Sequence, residues 1–249
     1  VLWIGLAIAV LVIVARRYRA DTLPWRTGGI VGIAVTAAMI VVAINSWPTI
    51  RFQYETTQAY GTFMGMAVLS AIVGAIVSGG AVGLAGSAGQ AVGWETFGQR
   101  VMPSLSIRGF VAGRFATSTL IGYGLAGVHL GYVVLFYLVG NRFGVWTPAE
   151  LQDYSETFST MFPWIYPLFV GLVASTSEEF LFRLVAISLM FRWTGIRWLS
   201  VLIPAIVWAF LHANYPQEPI YIRGIELTVV GCIFGAAFLR WGIWSVVTS

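Results

Sequence analysis

Seven apolar runs, joined by short polar connections, restrict what this chain can become. They fall at about 1–15, 28–44, 61–91, 118–140, 162–191, 199–213 and 222–239, and an eighth begins at Trp241. A helix that crosses the hydrocarbon core of a bilayer needs about 20 residues. Hydrophobic residues make up 58% of the chain and charged ones only 10%, against about 25% charged in a soluble domain. The expected fold is therefore all-α, a polytopic transmembrane helical bundle of about seven to eight spans. The third run is too long for one simple span, and its Gly79, Gly80, Gly83, Gly86 and Gly89 read as a small-residue packing face or a break. The first and last runs are short and the chain starts at Val1, so both ends read as cut, with the C-terminal helix truncated. No basic leader or cleavage site marks Val1 to Ala15 as a signal peptide.

All 14 basic residues are arginines, and they alternate between connections. Ten follow the odd-numbered runs (Arg16, Arg17, Arg19, Arg26, Arg100, Arg108, Arg114, Arg192, Arg197 and Arg240), whereas the other loops hold Arg51, Arg142 and Arg223. Glu150, Asp153 and Glu156 add acid to one of the latter. By the positive-inside rule the first group is cytoplasmic, as in a bacterial-type cytoplasmic membrane. Spread in this way, the arginines make no nucleic-acid surface. Trp25, Trp47, Trp146, Trp164, Trp193 and Trp198 sit at run ends, as interfacial anchors do. Trp94 to Met102 reads as an amphipathic helix on the inner surface. The single Cys232 excludes an internal disulfide framework and reads as a packing residue.

One run breaks its own rule. Ser175-Thr176-Ser177-Glu178-Glu179-Phe180-Leu181-Phe182-Arg183 places two carboxylates and a guanidinium inside the apolar stretch Trp164 to Phe191. Each ionisable group at bilayer depth costs about 2.5–3.5 kcal/mol on insertion scales, so such residues mark functional sites. Glu179 and Arg183, four apart, share a helix face and can neutralise each other. Glu178 is turned about 100° away and lacks a local partner. In a low-dielectric site its charged form is disfavoured, which suits a proton acceptor. Glu178 lies fourteen residues before Arg192, and His212 fourteen after Trp198. Both stand roughly 21 Å above the same turn, so antiparallel neighbours would bring carboxylate and imidazole to one depth. His129, Asn214 and Glu226 (with Arg223 three residues earlier) read as packing, turn and ion-pair residues respectively.

These residues resemble a known family. Glu178-Glu179-Phe180-Leu181-Phe182-Arg183 looks like the EExxxR motif of the CPBP intramembrane proteases, which include type II CAAX prenyl endopeptidases and bacteriocin-processing enzymes. Trp208-Ala209-Phe210-Leu211-His212 is similar to their FxxxH motif, with Trp for Phe. The family's third motif, HxxxN or HxxxD, is not in this chain, although Leu239 to Trp244 resembles its lead-in. The resemblance covers roughly 160–249 and implies that Glu178 activates water for attack on a peptide carbonyl. Glu179 and Arg183 would shape the site, and His212 would hold the water, a metal ion or the developing oxyanion. A divalent metal such as zinc would draw on Glu178 and His212, which are too few for a catalytic zinc with three protein ligands.

The expected organisation is a membrane-embedded part, 1–115, of unassigned role, followed by a protease core, 116–249. The expected function is an intramembrane endopeptidase using glutamate-activated water on a peptide or membrane-protein substrate, with the lipid bilayer as its medium. The alternatives are a non-catalytic scaffold or chaperone that keeps the Glu–Arg lock, and a transporter in which Glu178 carries protons.

Overall fold

The computed structural model describes residues 2–103, 113–147 and 157–249. Arg108, Glu150, Asp153 and Glu156, and the side chain of Arg114, lie outside that description. Ten α-helices carry the described chain: α1 Leu2–Arg19, α2 Trp25–Asn45, α3 Trp47–Phe52, α4 Tyr60–Phe97, α5 Arg114–Gly140, α6 Ile165–Glu178, α7 Ser188–Thr194, α8 Arg197–Phe210, α9 Ile222–Trp241 and α10 Ile243–Val247. Between α6 and α7 the helix continues without interruption through a π-helical segment, Glu179–Ile187. The described residues form no strand, and only an isolated bridge joins Trp146 to Glu218. The all-α bundle is thus as expected. Among the described residues four helices (α2, α4, α5 and α9) are long and apolar enough to cross a bilayer. α1, the helix 165–194 and the shorter α8 pack against them.

The long third run is one unbroken helix. At 1.5 Å per residue the 38 residues of α4 extend about 57 Å, well beyond the roughly 30 Å of bilayer hydrocarbon. Its first half presents Met66, Leu69, Ile72, Val73, Ile76 and Val77 outward, whereas Gly79 onward is largely buried. The small residues there admit close contact, as the glycine pattern suggested. A Cβ on Gly28 of α2 would stand 2.4 Å from the Gly83 carbonyl, and one on Gly79 would stand 2.4 Å from the Gly32 carbonyl. Further along, Gly86 and Gly89 face Phe180 and Leu184 of the π segment. Gly80 meets nothing and is not part of that face.

Two ends of the bundle are tied differently. At one end Glu95 of α4 pairs with Arg17 of α1 and, at 2.7 Å, with Arg192 of α7. At the other, Asn45 exchanges hydrogen bonds with Phe162, donating at 3.2 Å and accepting at 2.8 Å, and Trp146 and Glu218 exchange bonds of 2.8 and 2.9 Å. Arg17 and Arg192, which the alternation puts on one side, thus meet at a single acid. Trp25, Trp146, Trp164, Trp193 and Trp198 are exposed near helix ends, and Trp47 is half-buried.

The stretch Trp94 to Met102 corrects an expectation. It is no separate surface helix: α4 runs on to Phe97 and stops at Gly98, whose φ of 81° turns the chain into a short 3₁₀ turn. Val101 and Met102 are fully buried, and the Trp94 indole donates to the Met102 carbonyl at 2.8 Å. The apolar positions fill the core instead of lying on a lipid surface.

Candidate active site

The segment that carries the acids is a loosened helix. π-helical bonding joins residues five apart and is rare, appearing mostly as short insertions that are frequent at functional sites. Here it begins at Glu179, directly after Glu178, and seven of its nine residues are buried. Phe180 and Leu184 occupy the notch left by the α4 glycines, which anchors the segment against the N-terminal helices. The hydroxyls that precede the acids are satisfied by their own helix. Ser175 and Thr176 donate to the Leu172 carbonyl at 3.2 and 2.6 Å, and Ser177 donates to Ala174 at 2.9 Å. They are spent on backbone and leave the chemistry to the carboxylates.

The two carboxylates have different surroundings. Glu179 pairs with Arg183 at 3.1 Å, as their spacing suggested, and both side chains are almost wholly buried. The Arg183 guanidinium also lies 4.2 Å from the centroid of the Trp208 ring, a cation–π contact that helps hold a buried charge. Glu178 points elsewhere. Its side chain is 28% exposed against 5% for Glu179, so it is the carboxylate left partly open. Its Oε2 accepts a hydrogen bond from the Trp208 indole N–H at 2.7 Å.

His212 comes to the same place from α8. It lies two residues beyond Phe210, in a tight turn closed by its own N–H to the Ala209 carbonyl at 3.0 Å. Its Nδ1 is 2.8 Å from the Trp208 carbonyl. A carbonyl only accepts, so Nδ1 carries the proton, and Nε2 faces Glu178 Oε2 at 3.8 Å. That distance is too long for a direct hydrogen bond. The ring is flanked by Trp208 at 5.2 Å and stacked on Tyr215 at 6.4 Å between centroids.

The remaining candidates lie elsewhere. His129 meets Phe234 edge-on at 5.6 Å, a packing contact. Asn214 is exposed in the turn after α8, and Cys232 is half-buried and free. Glu226 pairs with Arg223, whose Nη1 lies 2.8 Å from each of its oxygens. Two further partners, Tyr137 and Tyr132 on α5, were not legible in the sequence: the first donates to Oε2 at 2.9 Å and the second to the backbone carbonyl at 3.3 Å. Sequence reasoning also missed the Trp208 donor. Its signal was an indole N–H where the motif has phenylalanine. Among the described residues no three of His, Cys, Asp or Glu gather to hold a metal ion. Glu178 and His212 alone do not make a catalytic zinc site.

Comparison with known proteins points the same way. Residues 160–249 match the family described as Rce1-like, type II CAAX prenyl endopeptidase. Across a longer stretch the chain is similar to the sporulation-killing factor biosynthesis protein SkfC of Bacillus subtilis (strain 168), 24% identical over 206 residues. The alignment takes in 81% of this chain and 38% of that protein, so the chain spans well under half the length of this relative. No solved structure matches. The matched segment 160–249, which carries both the EExxxR motif and the aromatic residue four before His212, is thus similar to the Rce1-like endopeptidases and supports the resemblance to the CPBP family.

Proposed function

We propose that this chain is an intramembrane endopeptidase that hydrolyses a peptide bond with water activated by Glu178. The observation that supports this most is the placement of a partly exposed carboxylate 3.8 Å from an imidazole whose other nitrogen is already committed. A water lodged beside that gap gives one hydrogen to Glu178 and the other to His212 Nε2. As its oxygen bonds to the carbonyl carbon, one proton passes to Glu178. The C–N bond then breaks, and that proton moves to the leaving amine nitrogen, which restores the carboxylate. Glu179 and Arg183 keep the acidic turn neutral, so that Glu178 is the one carboxylate left for proton transfer.

The substrate class is a peptide or membrane protein that presents an extended segment at this depth, with prenylated CAAX-type peptides and leader peptides as the two classes to test. The arginine-bearing end would face the cytoplasm. A metal such as zinc would require a ligand beyond Glu178 and His212.

The test is cleavage of a quenched-fluorescent farnesylated CAAX peptide by the protein in liposomes. Glu178→Gln keeps the shape and a hydrogen-bond acceptor but not the base, and should lower kcat by about 10²–10⁴. Full activity in that variant would remove Glu178 from the chemistry. Proton-coupled flux lost in Glu178→Gln, with no cleavage by the wild type, would favour transport instead.

A further inference from the structure

We infer that Trp208 is a positioning residue that sets the distance between base and imidazole, holding Glu178 through its indole N–H and His212 through its backbone carbonyl. The inference rests on the endopeptidase reading and adds to it a residue whose motif position normally carries a side chain unable to donate.

The contacts converge on one residue. Trp208 Nε1 donates to Glu178 Oε2 at 2.7 Å, and the Trp208 carbonyl accepts from His212 Nδ1 at 2.8 Å. The indole is itself fixed on its faces and edges. Arg183 lies 4.2 Å from its centroid, and Trp208 Cε3 stands 3.3 Å from where a Cβ on Gly231 of α9 would be. Only 6% of Trp208 is exposed. A buried ring held between a guanidinium and a glycine of the next helix cannot swing, so its N–H points one way.

That direction matters because of what Glu178 would otherwise do. A glutamate has three rotatable side-chain bonds, and an imidazole nitrogen 3.8 Å away is an attractive partner. Without the indole, the carboxylate is free to close the gap and bond His212 directly, which removes the space for water. The N–H occupies Oε2, the oxygen nearer His212, and so keeps the two groups apart. Phenylalanine at this position would preserve packing and the Arg183 contact while omitting the restraint.

The experiment uses the full chain in liposomes with Trp208→Phe and Glu178→Gln as separate variants. A hydrogen bond to a charged group should make Trp208→Phe lose about tenfold to a hundredfold in kcat. KM should stay near the wild-type value, because a substrate-binding role is not implied. The second readout is the Trp208 indole N–H resonance in ¹⁵N-labelled protein, identified by its absence from Trp208→Phe and expected to shift in Glu178→Gln. If Trp208→Phe folds poorly, the absence of the same resonance from Trp208→Tyr assigns it, and its response to Glu178→Gln carries the test. Wild-type kcat in Trp208→Phe, or an indole resonance indifferent to Glu178→Gln, overturns the inference. If Glu178→Gln abolishes cleavage while Trp208→Phe cleaves normally, only the role of Trp208 falls. If Glu178→Gln itself cleaves normally, the endopeptidase reading falls with it.

Discussion

Glu226 and Glu178 each centre a polar cluster inside this apolar bundle, and the two differ in how completely their charges are answered. Around Glu226 both carboxylate oxygens are matched. The side chain is fully buried, Arg223 reaches both carboxylate oxygens at 2.8 Å, Tyr137 donates at 2.9 Å, and Tyr132 takes the backbone carbonyl. Around Glu178 one donor is supplied, the side chain is partly exposed, and the imidazole stops 3.8 Å short. The clusters are neighbours: Arg223 lies 5.7 Å from the Tyr215 ring, which stacks on His212. A saturated buried charge has no capacity left for a reactant, so Glu226 joins α5 to α9. The unsaturated one keeps an open valence for water. Burial and charge alone would rank these acids the other way.

The sharpest way to break this comparison is to neutralise each cluster and read activity and stability separately. Glu178→Gln should carry the largest effect on turnover, the 10²–10⁴-fold loss argued above, with unfolding in graded detergent unchanged. Arg223→Met should do the reverse. It leaves Glu226 charged and buried with only tyrosine donors, and removing one member of a buried pair costs about 3–5 kcal/mol. Detergent unfolding should register that loss, while kcat of the folded fraction stays within a few-fold of wild type. A large kcat loss in Arg223→Met at unchanged stability would make the Glu226 cluster part of the chemistry.

A smaller effect tests whether the N-terminal helices hold the site in place. Gly86→Ala would set a Cβ 2.8 Å from the Phe180 ring, one residue from Glu179. Overpacking of this kind costs about 1–3 kcal/mol. The expected outcome is that loss in unfolding free energy, with a fall in kcat of less than tenfold, since no atom of the site is removed. Stability unchanged by the methyl would mean that α4 and the π segment part easily.

What the sequence disclosed and what it withheld follow from range. Apolar run lengths located the helices, because hydrophobicity acts residue by residue. The Glu179–Arg183 pair was visible because its partners are one turn apart. The meeting of Glu178 and His212 was legible as a matching of depths, since rise per residue converts spacing into height. The π segment was not, because shifting hydrogen bonds by one residue needs no special residue type in an apolar run. Tyr137 lies 89 residues from Glu226, and nothing local couples them. The buried fate of Val101 and Met102 depended on the distant end of α9, where a Cβ on Gly242 would stand 2.8 Å from the Arg100 carbonyl. Trp208 stands where the motif has Phe, and its donor acquires a role only once α8 faces Glu178.

The smallest predicted effect isolates burial from pairing. Glu95 matches Glu226 in having its carboxylate oxygens engaged, here by two guanidiniums, Arg17 and Arg192. Its side chain, however, is 41% exposed and Arg192 is 47% exposed, so water solvates the charges whether or not they pair. Exposed pairs contribute about 0.2–1 kcal/mol each and weaken with salt. Glu95→Gln should therefore lower unfolding free energy by about 1 kcal/mol at low ionic strength and by less at about 0.5 M salt, where the Debye length is only a few ångströms. Activity should be untouched. A loss as large as that of Arg223→Met, insensitive to salt, would mean that pairing by itself decides the worth of a carboxylate in this bundle. The expected outcome assigns that worth to desolvation: the same chemical pair is structural when buried, marginal at the surface, and reactive only where water reaches an acid left partly unpaired.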